Sequence, residues 1–118
     1  MRKLIFLLLT LISFGALAQS AAKQVYLFSY FKNNGQDGLH LAYSYDGLQW
    51  TALKGDSSFL QPEISKDKLM RDPCIIRGAD GVFHMVWTDS WTDKGIGYAS
   101  SADLIHWSAQ QKLPVMEK

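Results

Sequence analysis

The chain has 118 residues, 47% of them hydrophobic and 13% aromatic, with 19% charged and a formal net charge of +1. That is enough for one small domain, and so even a charge balance gives no electrostatic basis for nucleic-acid binding. A single cysteine, Cys74, excludes an internal disulfide, so the core must hold the fold.

Met1-Arg2-Lys3 is a short basic start, followed by the largely apolar run Leu4–Ile12 and the small-residue pattern Ala16-Leu17-Ala18. This is the plan of a signal peptide over residues 1–18, with the mature chain, residues 19–118, starting at Gln19 or nearby. The apolar run is too short to span a bilayer, so the expected product is secreted or periplasmic and free of the membrane after cleavage. Removal of Arg2 and Lys3 takes away two positive charges and moves the formal charge from +1 to −1. All four tryptophans and five tyrosines lie beyond the cleavage point, an aromatic load that suits stacked sheets or a sugar-binding surface.

Strand-type runs follow, each bounded by turn residues, and no helical periodicity interrupts them. The first group is expected at Gln24–Phe31, Leu39–Tyr45 and Gln49–Leu53, with turns at Asn33-Asn34-Gly35 and Asp46-Gly47. The second is expected at Cys74–Arg77, Val82–Thr88, Ile96–Ser101 and Ile105–Ala109. Cys74, next to Ile75 and Ile76, reads as a buried small hydrophobe.

The two groups are copies of one unit. Tyr26–Tyr30 overlays Phe83–Trp87 at a shift of 57 positions, and without gaps the register pairs Gly38 with Gly95, Leu39 with Ile96 and Ala42 with Ala99. It goes on to pair Ser44 with Ser101, Asp46 with Asp103 and Trp50 with Trp107, so five of these six pairs are identities and coincidence is the minor reading. The recurring Ser-x-Asp-x-x-x-Trp has an architectural role: the aspartate accepts backbone N–H bonds in a turn and the tryptophan packs between sheets. It resembles the Asp-box of sialidase propellers, but is one residue shorter between Ser and Trp. The fold class is therefore all-β, with blade-like antiparallel repeats at about residues 24–53 and 74–110.

Three pieces in order carry a family resemblance: Arg71-Asp72-Pro73-Cys74-Ile75-Ile76, Asp80-Gly81-Val82-Phe83-His84-Met85-Val86-Trp87-Thr88, and Ser101-Ala102-Asp103-Leu104-Ile105-His106-Trp107. The series resembles the Asp-Pro, Asp-Gly-aromatic and Ser-x-Asp-Leu-x-x-Trp series of glycoside hydrolase family 43. The resemblance implies a five-bladed β-propeller with its active site at the channel mouth, and inverting hydrolysis of arabinofuranosides, xylosides or galactosides in plant polysaccharide or oligosaccharide. Such a propeller needs roughly 250 residues at about 50 per blade, so the chain is expected to be an N-terminal part of about two blades.

An inverting glycosidase needs an ionised carboxylate to activate water and a protonated acid for the leaving oxygen. The resemblance assigns Asp72 as that base or as the aspartate that tunes the acid, in which case Asp37 of the Gln36-Asp37-Gly38 turn is the alternative base. Pro73 is expected to hold Asp72 in an extended backbone. An ordinary turn role, for Asp72 one paired with Arg71, competes with each assignment. Trp91, His84, Trp87 and Arg71 are the candidate substrate-binding residues; Trp87 also reads as core because it overlays Tyr30. No metal or other cofactor is called for; the acidic turn Asp89-Ser90-Trp91-Thr92-Asp93 reads first as a solvated loop and second as a calcium site. His40 and His106, with apolar neighbours, are given no chemistry. The mature chain has two glutamates, Glu63 and Glu117, neither in the Glu-Gly-Pro setting expected of the acid, so this chain alone is expected to be inactive. A noncatalytic carbohydrate-binding propeller is the competing reading, and an exported structural or adhesive repeat protein the third.

Overall fold

The computed structural model describes residues 23–115, so the signal-peptide reading and Glu117 lie outside the described residues. Within them the chain forms two antiparallel sheets and no α-helix, so the all-β expectation holds. Sheet one contains β1 (Tyr26–Tyr30), β2 (His40–Ser44) and β3 (Thr51–Ala52) in that spatial order. A tight 3-10 turn over Leu53–Asp56 follows, and the chain then runs back across the start of β2, where Leu39 bridges Leu60. Sheet two contains β4 (Arg71–Arg77), β5 (Phe83–Thr88), β6 (Ile96–Ser101) and β7 (Gln111–Leu113), again in sequence order.

Strand alternation decides what each face meets. In sheet one, Leu41 and its cross-strand partner Ser29 share a face, while Phe28 and Ala42 share the other. In sheet two, Ile75, Met85 and Ala99 stand side by side, with Trp87 on the same face. That face packs on Leu39, Leu41 and Met70, and Leu53, Phe59, Leu104 and Trp107 close the margins. Full burial of each large side chain in this layer contributes about 1.5–3 kcal/mol.

The 57-residue repeat is reproduced in hydrogen bonds. Ser44 Oγ donates to Asp46 Oδ1 and accepts from the Asp46 and Gly47 amides, while Asp46 Oδ1 accepts from Leu48 and Gln49. Ser101 and Asp103 repeat all five bonds with Asp103, Leu104, Ile105 and His106. Amide donation holds the carboxyls of both aspartates below the usual carboxylate range, for Asp103 together with a leading contribution from His106.

These turns also explain where the expected strands fail. Ile105 and His106 give their amides to Asp103, so Ile105–Ala109 cannot form a ladder; only Trp107 bridges Ser101, and the fourth strand starts at Gln111. Cys74 is exposed, not buried: it opposes Val86 on the outer face, opposite to the Met85–Trp87 face, and no layer among the described residues covers it. The two repeat tryptophans differ too. Trp107 is half-buried at the core margin with its indole N–H on the Leu104 carbonyl, whereas Trp50 lies on the open face of sheet one and is 42% exposed.

Candidate functional site

The end of β1, the start of β4 and the end of β5 meet at one rim. Met70 N–H donates to the Gly35 carbonyl, Leu69 N–H to the Asp89 carbonyl, and Arg71 pairs with Thr88. Gly35 permits this approach: at φ +89° it sits where a Cβ would collide with the Met70 carbonyl and Arg71 Cγ.

Arg71 is the centre of the rim. Its guanidinium carbon lies 4.2 Å from the Trp91 ring centroid and 5.2 Å from that of Phe31, and its Nη1 donates to Asn34 Oδ1 at 3.0 Å. Cation–π attraction and a fixed hydrogen bond hold the guanidinium between two loops. Trp91 is 62% exposed although it is the largest side chain available for burial, and a ring held in that state by a charged backing is suited to stacking on an apolar sugar face. Its loop is fixed by Asp67, whose Oδ2 accepts the Ser90 hydroxyl at 2.6 Å and the Trp91 amide at 3.2 Å. Those two donors, Ser90 first, hold the Asp67 carboxyl below its ordinary value.

Asp72 follows Arg71 in a register shift between Arg71 and Cys74. It has φ +50°, the left-handed region, so the extended backbone expected from Pro73 is corrected. Pro73 has no N–H for the ladder; the pair bulges out, Pro73 is buried, and its carbonyl accepts the Ser29 hydroxyl at 2.6 Å. Aspartate tolerates this conformation better than most residues, and strained backbone of this kind collects at functional sites. Asp72 is exposed, and among the described residues no hydrogen bond or ion pair engages its carboxylate. Arg71 is committed elsewhere, so the turn-and-ion-pair reading of Asp72 does not describe this geometry.

Asp37 belongs to a second cluster on the β1–β2 loop. Its Oδ2 lies 2.8 Å from His40 Nε2 and 3.7 Å from Lys32 Nζ. Asp56, on the far side, takes the Tyr30 hydroxyl at 2.5 Å and Lys32 Nζ at 3.3 Å, and lies 3.2 Å from His40 Nδ1 outside hydrogen-bond geometry. Burial, and then Asp56, push the Tyr30 hydroxyl up to about 12, so it stays a neutral donor. His40 is fully buried, and its neighbours are these two aspartates as well as apolar residues. Its signal was present in the repeat: Tyr30 and His40 occupy the positions of Trp87 and Gly97, so polar groups stand where the second copy is apolar.

The other candidates lie elsewhere. Trp87 is 2% exposed in the core and offers no face to a ligand. His84 sits on the outer face of sheet two toward the opposite end, with Nδ1 2.8 Å from the Tyr98 hydroxyl and Nε2 3.8 Å from Asp80. Lys112 Nζ lies 2.5 Å from Asp93 and 3.4 Å from the buried Asp89, so an ammonium stands where the calcium reading placed an ion. Among the described residues no three His, Cys, Asp or Glu side chains converge as metal ligands.

At one rim of the stacked antiparallel sheets stand the Arg71–Trp91 pair and Asp72, whose carboxylate has no hydrogen-bond partner among the described residues. The family described as "Probable glycosyl hydrolase domain", related to glycoside hydrolase family 43, matches residues 22–118, and the chain belongs to it. No curated protein and no solved structure gives a significant match.

Proposed function

We propose that this chain is the exported N-terminal part of an inverting glycoside hydrolase acting on arabinofuranosides or related side chains of plant polysaccharide. The observation that carries the reading is Asp72: an exposed carboxylate with no partner among the described residues, on a left-handed backbone, next to the arginine that backs Trp91. In this reading Trp91 stacks on the sugar, Arg71 holds the ring and donates to hydroxyls, and Asp72 activates water or tunes the acid. Asp37 is the alternative base; it is already engaged by His40 and Lys32, which favours Asp72. Among the described residues the one glutamate, Glu63, is tied through its amide to Gln110, with nothing to mark it as a proton donor. The two sheets alone are therefore proposed to bind glycan without cleaving it.

The test is titration of the mature chain with arabino-, xylo- and galacto-oligosaccharides, read by tryptophan fluorescence, alongside release of nitrophenol from the matching aryl glycosides. Binding that Trp91→Ala weakens about tenfold or more, with no turnover, is expected. Asp72→Asn should leave binding within a few-fold if Asp72 is the base. An equal loss in Asp72→Asn and Trp91→Ala supports the competing reading, a purely binding module, for which the exposed Trp91 would suffice. Turnover abolished by Asp72→Asn would refute the inactivity of the chain, and absence of binding would sink the glycan site.

A further inference from the structure

We propose that Asp67, on the connector between the two sheets, is the positioning residue for Trp91: it supplies from a distance the carboxylate that the Ser-x-Asp turns carry within themselves, and so sets the ring on Arg71. This role rests on the reading of Trp91 as the ring that meets glycan.

Ser90 builds a turn of the repeated kind. Its hydroxyl accepts the Thr92 amide at 3.2 Å and the Asp93 amide at 3.3 Å, as Ser44 accepts from Asp46 and Gly47 and Ser101 from Asp103 and Leu104. In those two turns the hydroxyl proton goes to the aspartate two residues on. Thr92 stands at that position after Ser90 and carries no carboxylate. The proton goes instead to Asp67 Oδ2, and the same oxygen takes the Trp91 amide.

The first sheet shows why a distant acid is needed. There Gly35 N–H closes the corresponding loop on the Lys32 carbonyl at 2.9 Å; 57 positions on, these residues are Thr92 and Asp89. The connector takes both lone pairs of the Asp89 carbonyl, with the Ser65 hydroxyl at 2.5 Å and the Leu69 amide at 3.3 Å. Ser65 also accepts the Lys68 amide, and both residues have a left-handed φ, +67° and +47°, so Asp67 sits in a tight turn pinned to the loop. Lys112 holds the side chains of Asp89 and Asp93, but among the described residues only Asp67 accepts from the Ser90 hydroxyl and the Trp91 amide. Ser90 is 7% exposed, so without Asp67 its hydroxyl is buried with no acceptor. The backbone that aims Trp91 is then no longer fixed, and the 4.2 Å contact with Arg71 is lost with it.

The test uses the isotope-labelled mature chain and nuclear magnetic resonance. Arg71 Nε–H, beside the Trp91 ring, carries a ring-current shift that Trp91→Ala removes. Asp67→Ala should abolish most of that shift and weaken oligosaccharide binding about fivefold or more, whereas Asp67→Asn, which keeps an acceptor oxygen, should retain most of both. Ser90→Ala removes the donor instead and should act like Asp67→Ala; with circular dichroism on each, the pair guards against one variant that does not fold. In a Trp91→Ala background Asp67→Ala should change affinity by less than about twofold, because a residue that acts through the ring has nothing left to position. Equal losses of affinity in both backgrounds overturn the proposal, as do a wild-type shift and affinity in Asp67→Ala. If the wild-type chain binds no oligosaccharide, the glycan reading fails and the Arg71 shift alone decides: unchanged in Asp67→Ala, it overturns the positioning role.

Discussion

Gly97→Ala is a substitution whose cost can be worked from one contact. Gly97 lies in β6 opposite Trp87, and the indole rests on its α-carbon: a Cβ there would stand closer than 3.0 Å to Cε2, Nε1 and Cζ2 of the ring. Gly97 does not have a left-handed φ, so alanine would otherwise gain about 0.5–1 kcal/mol from the lower entropy of the unfolded chain. Against that, overpacking a full core costs about 1–3 kcal/mol. Trp87 is fixed among Met85, Ala99 and Leu41 and has little room to tilt, so the upper part of that range applies. The net expectation is a loss of about 1–2 kcal/mol, read as a lower urea midpoint at unchanged m-value. Trp87→Leu, itself costly through the cavity it leaves, removes the clash; in that background Gly97→Ala should be neutral or stabilising, with a coupling of about 1–3 kcal/mol. Equal losses in both backgrounds, or none in either, would refute the contact as the cause.

Two further outcomes follow from charges. Asp103→Asn should lower stability at pH 7: the carboxyl is depressed in the folded state, so its contribution is complete above the unfolded value near 4 and is lost as pH falls through the folded one. The gap to wild type in urea midpoint should therefore hold from pH 7 to about 4 and shrink on further acidification, and a widening gap would contradict it. Lys112→Met should lower the midpoint because the buried Asp89 carboxylate, which has no hydrogen bond of its own, loses its counter-charge; adding Asp89→Asn should restore most of the loss, and failure to do so would place the effect in β7 packing.

Most of the fold is legible in the sequence because it rests on local rules. Alternation places Ile96–Ser101 as observed, and the Ser-x-Asp turns form as read because all their partners lie within three residues. The failures are non-local or arise from competition for donors. Ile105–Ala109 has the composition of a strand, but Asp103 takes its first amides. Asp72 has the sequence of an extended residue, but Ser29, on the other sheet, holds the Pro73 carbonyl and the bulge with it. Asp67 could not be assigned from its own neighbourhood, because the loop it fixes lies more than twenty residues on. The Arg71–Trp91 pairing needed both sheets in place, although each residue was identifiable alone.

The internal repeat also separates architecture from chemistry. Positions that recur unchanged, such as Ser44 with Ser101 and Asp46 with Asp103, make identical bonds and serve the sheets. The rim positions, from Phe31 paired with Thr88 to Asp37 paired with Lys94, all differ between the copies. The tie from the end of the first strand to the chain beyond the last hairpin survives with its polarity reversed: Lys32 to Asp56 in one copy, Asp89 to Lys112 in the other, with 32 and 89 at equivalent positions. A tie kept through charge reversal serves structure, and the sign is free to suit local chemistry. Asn34 and Trp91 are also equivalent positions, and Arg71 reaches both, hydrogen-bonding one and stacking on the other. The arginine therefore sits between corresponding loops of the two sheets and senses their relative placement. Asp72, next in the chain, inherits that position, so the geometry of the free carboxylate depends on how the sheets pack and not on its own loop alone.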